Sequence, residues 1–150
     1  MGLLNKAKPL LLALALVISI TTVFPPPAAA SLLHLEGPVP EDLGVHEGQL
    51  SPCPSPAHCA RQDWRVEDPQ AALAALLPAV LAMDGVDVVE TGKGYLHATV
   101  TSRLFGFVDD LEFYADPAEG LLHARSVSRL GDSDLGVNGR RLENLRAALP

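Results

Sequence analysis

Two strand-like runs around a short turn constrain this chain most. Phe107 to Tyr114 reads FVDDLEFY, Leu121 to Arg129 reads LLHARSVSR, and Asp116-Pro117-Ala118-Glu119-Gly120 separates them. Pro and Gly in so short a gap mark a turn, so the runs are expected to pair as an antiparallel hairpin. Alternation puts Phe107, Leu111 and Phe113 on one face and Val108, Asp110 and Glu112 on the other. Acidic, basic and hydroxyl groups thus recur inside hydrophobic strands, where a polar group is costly unless partnered. The pattern predicts a specified polar network. With the turn centred between Pro117 and Ala118, Asp110 faces Arg125, Glu112 faces His123 and Val108 faces Val127. Opposite-charge pairs across strands contribute about 0.2–1 kcal/mol each.

Other elements surround the hairpin. Asp68-Pro69 supplies an N-cap and a first-turn proline for a helix that Asp84-Gly85 ends. Leu73, Leu76, Leu77, Val80 and Leu81 form its apolar stripe, and Pro78 is expected to kink or split it. Val86–Thr91 and Tyr95–Ser102 read as two more strands joined at Gly92-Lys93-Gly94. The second puts Leu96, Ala98 and Val100 on one face and Tyr95, His97 and Thr99 on the other. A last helix is expected from about Gly139 to Leu149, with Asn138 as N-cap. These elements give an α+β fold: an antiparallel four-stranded meander with two helices packed on one face, in two layers.

A chain of 150 residues has room for one such domain. Residues 1–30 have the layout of a signal peptide: Lys6 and Lys8, an apolar run from Leu10 to Phe24, three prolines, and Ala28-Ala29-Ala30 before Ser31. An uncleaved anchor is the alternative, although the run is shorter than the roughly 20 residues of a spanning helix. Residues 31–49 are expected as an extended arm and 50–150 as the domain, in an exported, periplasmic or extracellular protein. The net charge of −7 becomes −9 once Lys6 and Lys8 are removed. An acidic domain with no basic run is poorly suited to nucleic acid or to an anionic membrane surface, which leaves membrane contact through the N-terminal segment. Cys53 and Cys59 are the two cysteines. In an exported chain they are expected to close a proline-stiffened disulfide loop, contributing about 2 kcal/mol on the chain-entropy model. The alternatives of a Cys53-His58-Cys59 metal site and a thiol redox pair fit that spacing poorly.

Candidate site residues cluster in and after the hairpin: Asp109, Asp110, Glu112, His123, Arg125, Ser126, Arg129, Asp134, Arg140 and Arg141. Arg140 and Arg141 fall in the first turn of the last helix, where positive charge opposes the dipole. Carboxylates are expected nearby, with Asp109, Asp110, Glu112, Asp132 and Asp134 as candidates. A salt-bridge lattice tying helix to sheet is the favoured reading. An anion site built from the helix N-terminus and Arg125, Arg129, Arg140 or Arg141 is its functional counterpart. Enzymatic readings make Asp110 and Glu112 an acid–base pair with His123 as proton shuttle, or Ser126 and Ser128 nucleophiles near His123 and Asp110. Asp109, Asp110, Glu112 and His123 are also a possible divalent-cation set. His34, His46 and His97 are assigned no role. No cofactor or metal is expected; the partner is an unspecified small anion or an envelope protein.

Three motifs resemble a known family. LSPCPSPAHC, YLHATVTSRLFGFVDDLEF and RSVSRLGDSDLGVNGRRLENLR are similar to domain of unknown function 1499 of bacteria and plastids, over about residues 50–149. The matching positions are Cys53, Cys59, Tyr95, Ser102, Phe107, Asp109, Asp110, Glu112, Arg125, Ser126, Ser128, Arg129, Gly131, Ser133, Asp134, Gly136, Asn138 and Arg141. His58 stands where the family pattern has Asn, and Asp132 where it has an aromatic. The first departure argues against His58 as a shared ligand. The resemblance implies no substrate. The chain therefore reads as a non-enzymatic exported binding or envelope-structural module. Its rival is an enzyme acting on a small polar or anionic substrate through Asp110/Glu112 and Arg125/Arg129.

Overall fold

The computed structural model describes residues 35–149. The leader-like segment, with Leu32 and Leu33 of the arm, lies outside the described residues. A short hairpin comes first, β1 (Val45–His46) with β2 (Gln49–Leu50). Then follow β3 (Cys59–Arg65), α1 (Pro69–Leu81), β4 (Val86–Gly92), β5 (Tyr95–Thr101), β6 (Val108–Asp116), β7 (Leu121–Ser128) and α2 (Val137–Ala147). The fold is α+β, and its main sheet is antiparallel with five strands rather than four, ordered β3-β7-β6-β5-β4. The expected meander is present as β4 to β7. The added strand, β3, pairs with β7 from Cys59↔Val127 to Arg65↔Leu121. Its sequence, CARQDWR, hides it: Trp64 is the single large apolar residue there, so no period-two pattern stands out.

Placing β3 at the edge moves β7 off the edge, so that it and β6 both lie inside the sheet. The helices cover one face. Leu76 and Val80 of α1 and Leu142 and Leu145 of α2 bury against Leu96, Ala98, Leu111, Phe113, Leu122, Ala124 and Trp64. The Trp64 and Phe113 rings lie 5.9 Å apart. The stripe of α1 is rotated one step from expectation, centred on Ala72, Leu76 and Val80, while Leu81 is exposed. The helix is continuous from Pro69 to Leu81, with Pro78 inside it on the solvent side. Asp68 caps α1 as expected, its Oδ1 accepting from the backbone N–H of Gln70 and Ala71 at 3.0 Å each.

Residues 36–50 fold back over the opposite face, and β2 packs on β6 and β7 with Leu50 buried. A central strand covered on both faces must bury whatever its sequence places there. Cys53 and Cys59 form the expected disulfide, leading into the first residue of β3.

Turn chemistry sets the registers. Lys93 and Gly94 both take positive φ, 52° and 78°, the signature of a type I′ hairpin turn. The β6–β7 turn is centred one residue later than expected, since Asp116 pairs with Leu121. The Asp116 Oδ1 accepts from the N–H groups of Ala118 and Glu119, which holds four residues in the loop. Moving the centre by one residue shifts the pairing by two. The side chains therefore keep their faces but change partners: Glu112 faces Arg125, Tyr114 faces His123, and Asp110 faces Val127.

Gly85 joins α1 to β4 at φ +71°, and a Cβ there would lie 2.2 Å from the carbonyl oxygen of Thr101. Gly48 has φ +80° but open space around it. Gly85→Ala is expected to destabilise by roughly 1–3 kcal/mol. Gly48→Ala should cost only the left-handed strain of about 1 kcal/mol; urea denaturation of both variants measures the difference.

Candidate functional site

The sheet divides the ten candidate residues. Asp110, Glu112, His123, Arg125 and Arg129 point to the arm-covered face, whereas Asp109 and Ser126 point to the helices with Asp134 and Arg141. Neighbouring positions on β6 and β7 are thus on opposite sides of the molecule, as strand alternation requires.

On the arm-covered face, Asp110 and Glu112 have no exposed surface. Arg129 grips Asp110 with a two-pronged fork, Nε to Oδ2 at 2.8 Å and Nη2 to Oδ1 at 2.9 Å, and His97 Nε2 meets Oδ1 at 2.8 Å. Glu112 Oε1 accepts from the Tyr95 hydroxyl and from the Gly44 N–H, both at 2.7 Å. Its Oε2 accepts from Arg125 Nη1 at 2.9 Å. Arg125 is itself fully buried and reaches Asp42 of the arm through Nη2 at 2.7 Å; its Nε has no partner among the described residues. His123 is not the partner of Glu112. It is bonded through Nδ1 to Asp63 of β3 at 2.6 Å and stacks on Tyr114 at 5.9 Å.

Electrostatics follow this geometry. Burial alone would raise the Asp110 carboxyl, but the hydrogen bonds and charges of Arg129 and His97 outweigh it and hold it below the usual carboxylate range. The bond to Asp110 likewise raises Arg129 against its partial burial. The Tyr95 hydroxyl is pushed far above its ordinary value, first by burial and then by donating to Glu112.

The helix-side cluster is built around Asn138, which has no exposed surface. Asn138 is not the N-cap. The helix begins earlier, after Gly136 at φ 76°, and the carboxylate of Asp134 takes the capping role. Asp134 Oδ1 accepts from Gly136 N–H at 2.8 Å and Oδ2 from Asn138 N–H at 2.9 Å. Burial would raise this carboxyl too, but the two backbone donors lower it. The Asn138 side chain is left to tie three segments. Its Oδ1 accepts from Ser126 Oγ at 2.6 Å and from Arg141 Nη1 at 2.6 Å. Its Nδ2 donates to Ser128 Oγ and to the His58 carbonyl beside the disulfide. Arg141 finds its carboxylate in Asp109, Nη2 to Oδ2 at 2.7 Å. Arg140 does not join the carboxylates; it is exposed and donates to the Leu135 carbonyl.

These positions correct several expectations. Ser126 and Ser128 lie across the sheet from His123 and Asp110, so no nucleophilic triad forms. Asp109 lies across from Asp110, Glu112 and His123, which breaks up the proposed cation set. Among the described residues no three His, Cys, Asp or Glu side chains are grouped to hold a metal ion. His97, to which the sequence assigned nothing, is a member of the network, and so are Tyr95, Asp42 and Gly44. The alternation of Tyr95 and His97 with Leu96 and Ala98 was a usable signal for two of these; Asp42 and Gly44 had none.

Two surface clefts border these clusters. One, of about 640 Å³, is lined by Gln62, Asp63, Trp64, Glu143, Arg146 and Ala147. The other, of about 490 Å³, runs between α1 and α2 past Met83, Val100 and Leu145, with Arg140 and Arg141 on its wall. Neither reaches Asp110, Glu112 or Arg125.

A family model described as "Protein of unknown function (DUF1499)" matches residues 40–149. No curated protein and no solved structure matches the chain.

The pKa directions set a two-sided pH dependence. Asp110 titrates lower folded than the roughly 3.9 of a free Asp, so its stabilisation is present above that pH and lost as pH falls. Tyr95 titrates higher folded than the roughly 10 of a free Tyr, so its contribution is present below pH ~10 and lost as pH rises. Thermal unfolding should show both limbs, with Asp110→Asn flattening the acid limb and Tyr95→Phe the alkaline one.

Proposed function

The chain belongs to the DUF1499 family, and on that premise we propose that it is a non-enzymatic, exported, envelope-structural module whose buried charges are a stabilising lattice. One observation carries this reading. Both oxygens of Asp110 and both of Glu112 are engaged by protein donors, at zero exposure, beneath the chain's own arm. A catalytic carboxylate pair needs to meet substrate at the mouth of a pocket, and neither surface cleft touches these groups. The N-terminus of α2, the other place for an anion, is already filled by the Asp134 carboxylate. Export is supported by the leader-like sequence and by a disulfide of the kind that persists in oxidising compartments.

The rival reading, an enzyme working through Asp110/Glu112 and Arg125/Arg129, needs residues 36–50 to leave the sheet so that substrate can enter. A binding role without catalysis would use the α1–α2 cleft, where Arg140 offers an exposed cation to a small anion.

Mutation separates these. Removing one partner from a buried ion pair typically costs about 3–5 kcal/mol. Arg125→Ala, which strands Glu112, is expected to lose that much in urea denaturation. Asp42→Ala, which removes the partly exposed partner, should lose about 1–3 kcal/mol. A melting profile for Arg125→Ala matching that of the unaltered chain would sink the lattice reading.

A further inference from the structure

The cleft between α1 and α2 follows from the spacing of side chains on the two helices. Val137, Arg140, Arg141, Asn144, Leu145 and Ala148 recur at i, i+3, i+4, i+7, i+8 and i+11, which is one face of α2 and its C-cap. Ala79 near the end of α1 and Met83 just past it form the facing wall, and Val100 of β5 lines the cleft from the sheet side. Ala79 and Ala148 carry short side chains, so the walls stay apart. The volume of about 490 Å³ lies within the roughly 300–1,000 Å³ of small-molecule sites.

The charges on these walls are unequally answered. Arg141 gives Nη2 to Asp109 at 2.7 Å and Nη1 to Ser126 and Asn138, so its charge is neutralised from inside the fold. Asp84 lies 3.9 Å from Arg103. Arg140 has no ion-pair partner among the described residues. It donates through Nη1 to the Leu135 carbonyl at 2.9 Å, and it lies so close over Gly136 that a Cβ there would come within 2.9 Å of Nη1. One edge of the guanidinium is thereby fixed. Nε and Nη2, the fork that fits a planar carboxylate, have no protein partner among the described residues. An apolar cleft is left with one unanswered positive charge at its wall.

We propose that this cleft binds a single-chain amphiphile ending in a carboxylate, the chemistry of a fatty acid. The head meets Nε and Nη2 of Arg140, and the hydrocarbon chain lies along Met83, Ala79, Leu145 and Ala148. One unanswered cation matches a monoanion; a head of higher charge would need a second, and Arg141 is already taken by Asp109. A small inorganic anion would answer Arg140 but leave the apolar walls unfilled. The proposal deepens the binding reading of this cleft and rests on it, whereas the lattice on the far side of the sheet is independent of it.

The test is calorimetric titration of the full chain with dodecanoate below its micelle concentration. A single saturable site is expected. Butyrate, with a far shorter chain, should bind at least about a hundredfold more weakly, since each buried methylene contributes about fourfold. Dodecyltrimethylammonium, with the opposite charge, should show no saturable binding. Arg140→Gln alters an exposed side chain, so the fold should persist while dodecanoate affinity falls about tenfold or more. Ala79→Trp fills the gap and should abolish binding; if that variant loses its fold by circular dichroism, Arg140→Gln decides alone. Absence of saturable dodecanoate binding overturns the proposal, as does equal binding of the ammonium analogue. Binding that Arg140→Gln leaves unchanged lies elsewhere on the chain and overturns it too. Butyrate binding as tightly as dodecanoate overturns the amphiphile while leaving the small-anion reading of the cleft standing. None of these results bears on the lattice, which the unfolding of Arg125→Ala tests.

Discussion

The interaction on which the structure depends is the pairing of charges within the two central strands. With the helices on one face of β6 and β7 and the arm on the other, neither strand has a solvent-facing side, and their alternating polar residues must be satisfied inside the protein. Asp110 is satisfied by Arg129 and His97, Glu112 by Arg125, Tyr95 and Gly44. The donors come from β5, from β7 and the residue that follows it, and from the arm, while β6 supplies the two carboxylates that accept. A buried ion pair adds little net stability relative to an apolar pair, yet breaking one is severe. Such a lattice therefore specifies one arrangement of strands and arm more than it raises stability. A register slip would leave several charges stranded together.

The helix side uses a different economy. Asp109 and Arg141 form one largely buried ion pair, but the organising group there is neutral Asn138. Its amide has one acceptor and two donors to place, and it places them on α2, β7 and the loop that the disulfide closes. Because Asp134 caps the helix, Asn138 is released for this work. The dipole conflict expected of Arg140 and Arg141 is eased by position: the helix starts at Val137, so Arg140 closes its first turn and Arg141 lies in the second.

Much of this was legible from local pattern. The helices, the four strands of the meander, the disulfide and the face assignments follow from periodicity and turn residues. The pairs do not, because the turn centre decides them: Asp116 recruits two backbone donors and moves every partner by two positions. β3 was illegible because Trp64 alone marks its buried face. The arm's part was illegible for a further reason. Asp42 and Gly44 meet Arg125 and Glu112 across 83 and 68 residues, and nothing local announces such a contact.

That same edge strand has a consequence for the order of folding. The β4–β7 meander is built from hairpins and needs only short loops closed. β3 must wait for β7, with Cys59 opposite Val127, and closing so long a segment carries a larger entropic cost. A chain made from its N-terminus exposes β3, the cysteines and the arm before their sheet exists. Until β7 emerges, Arg61 and Trp64 have no strand to pair with, and the disulfide loop is the one constraint already available to hold that segment ready.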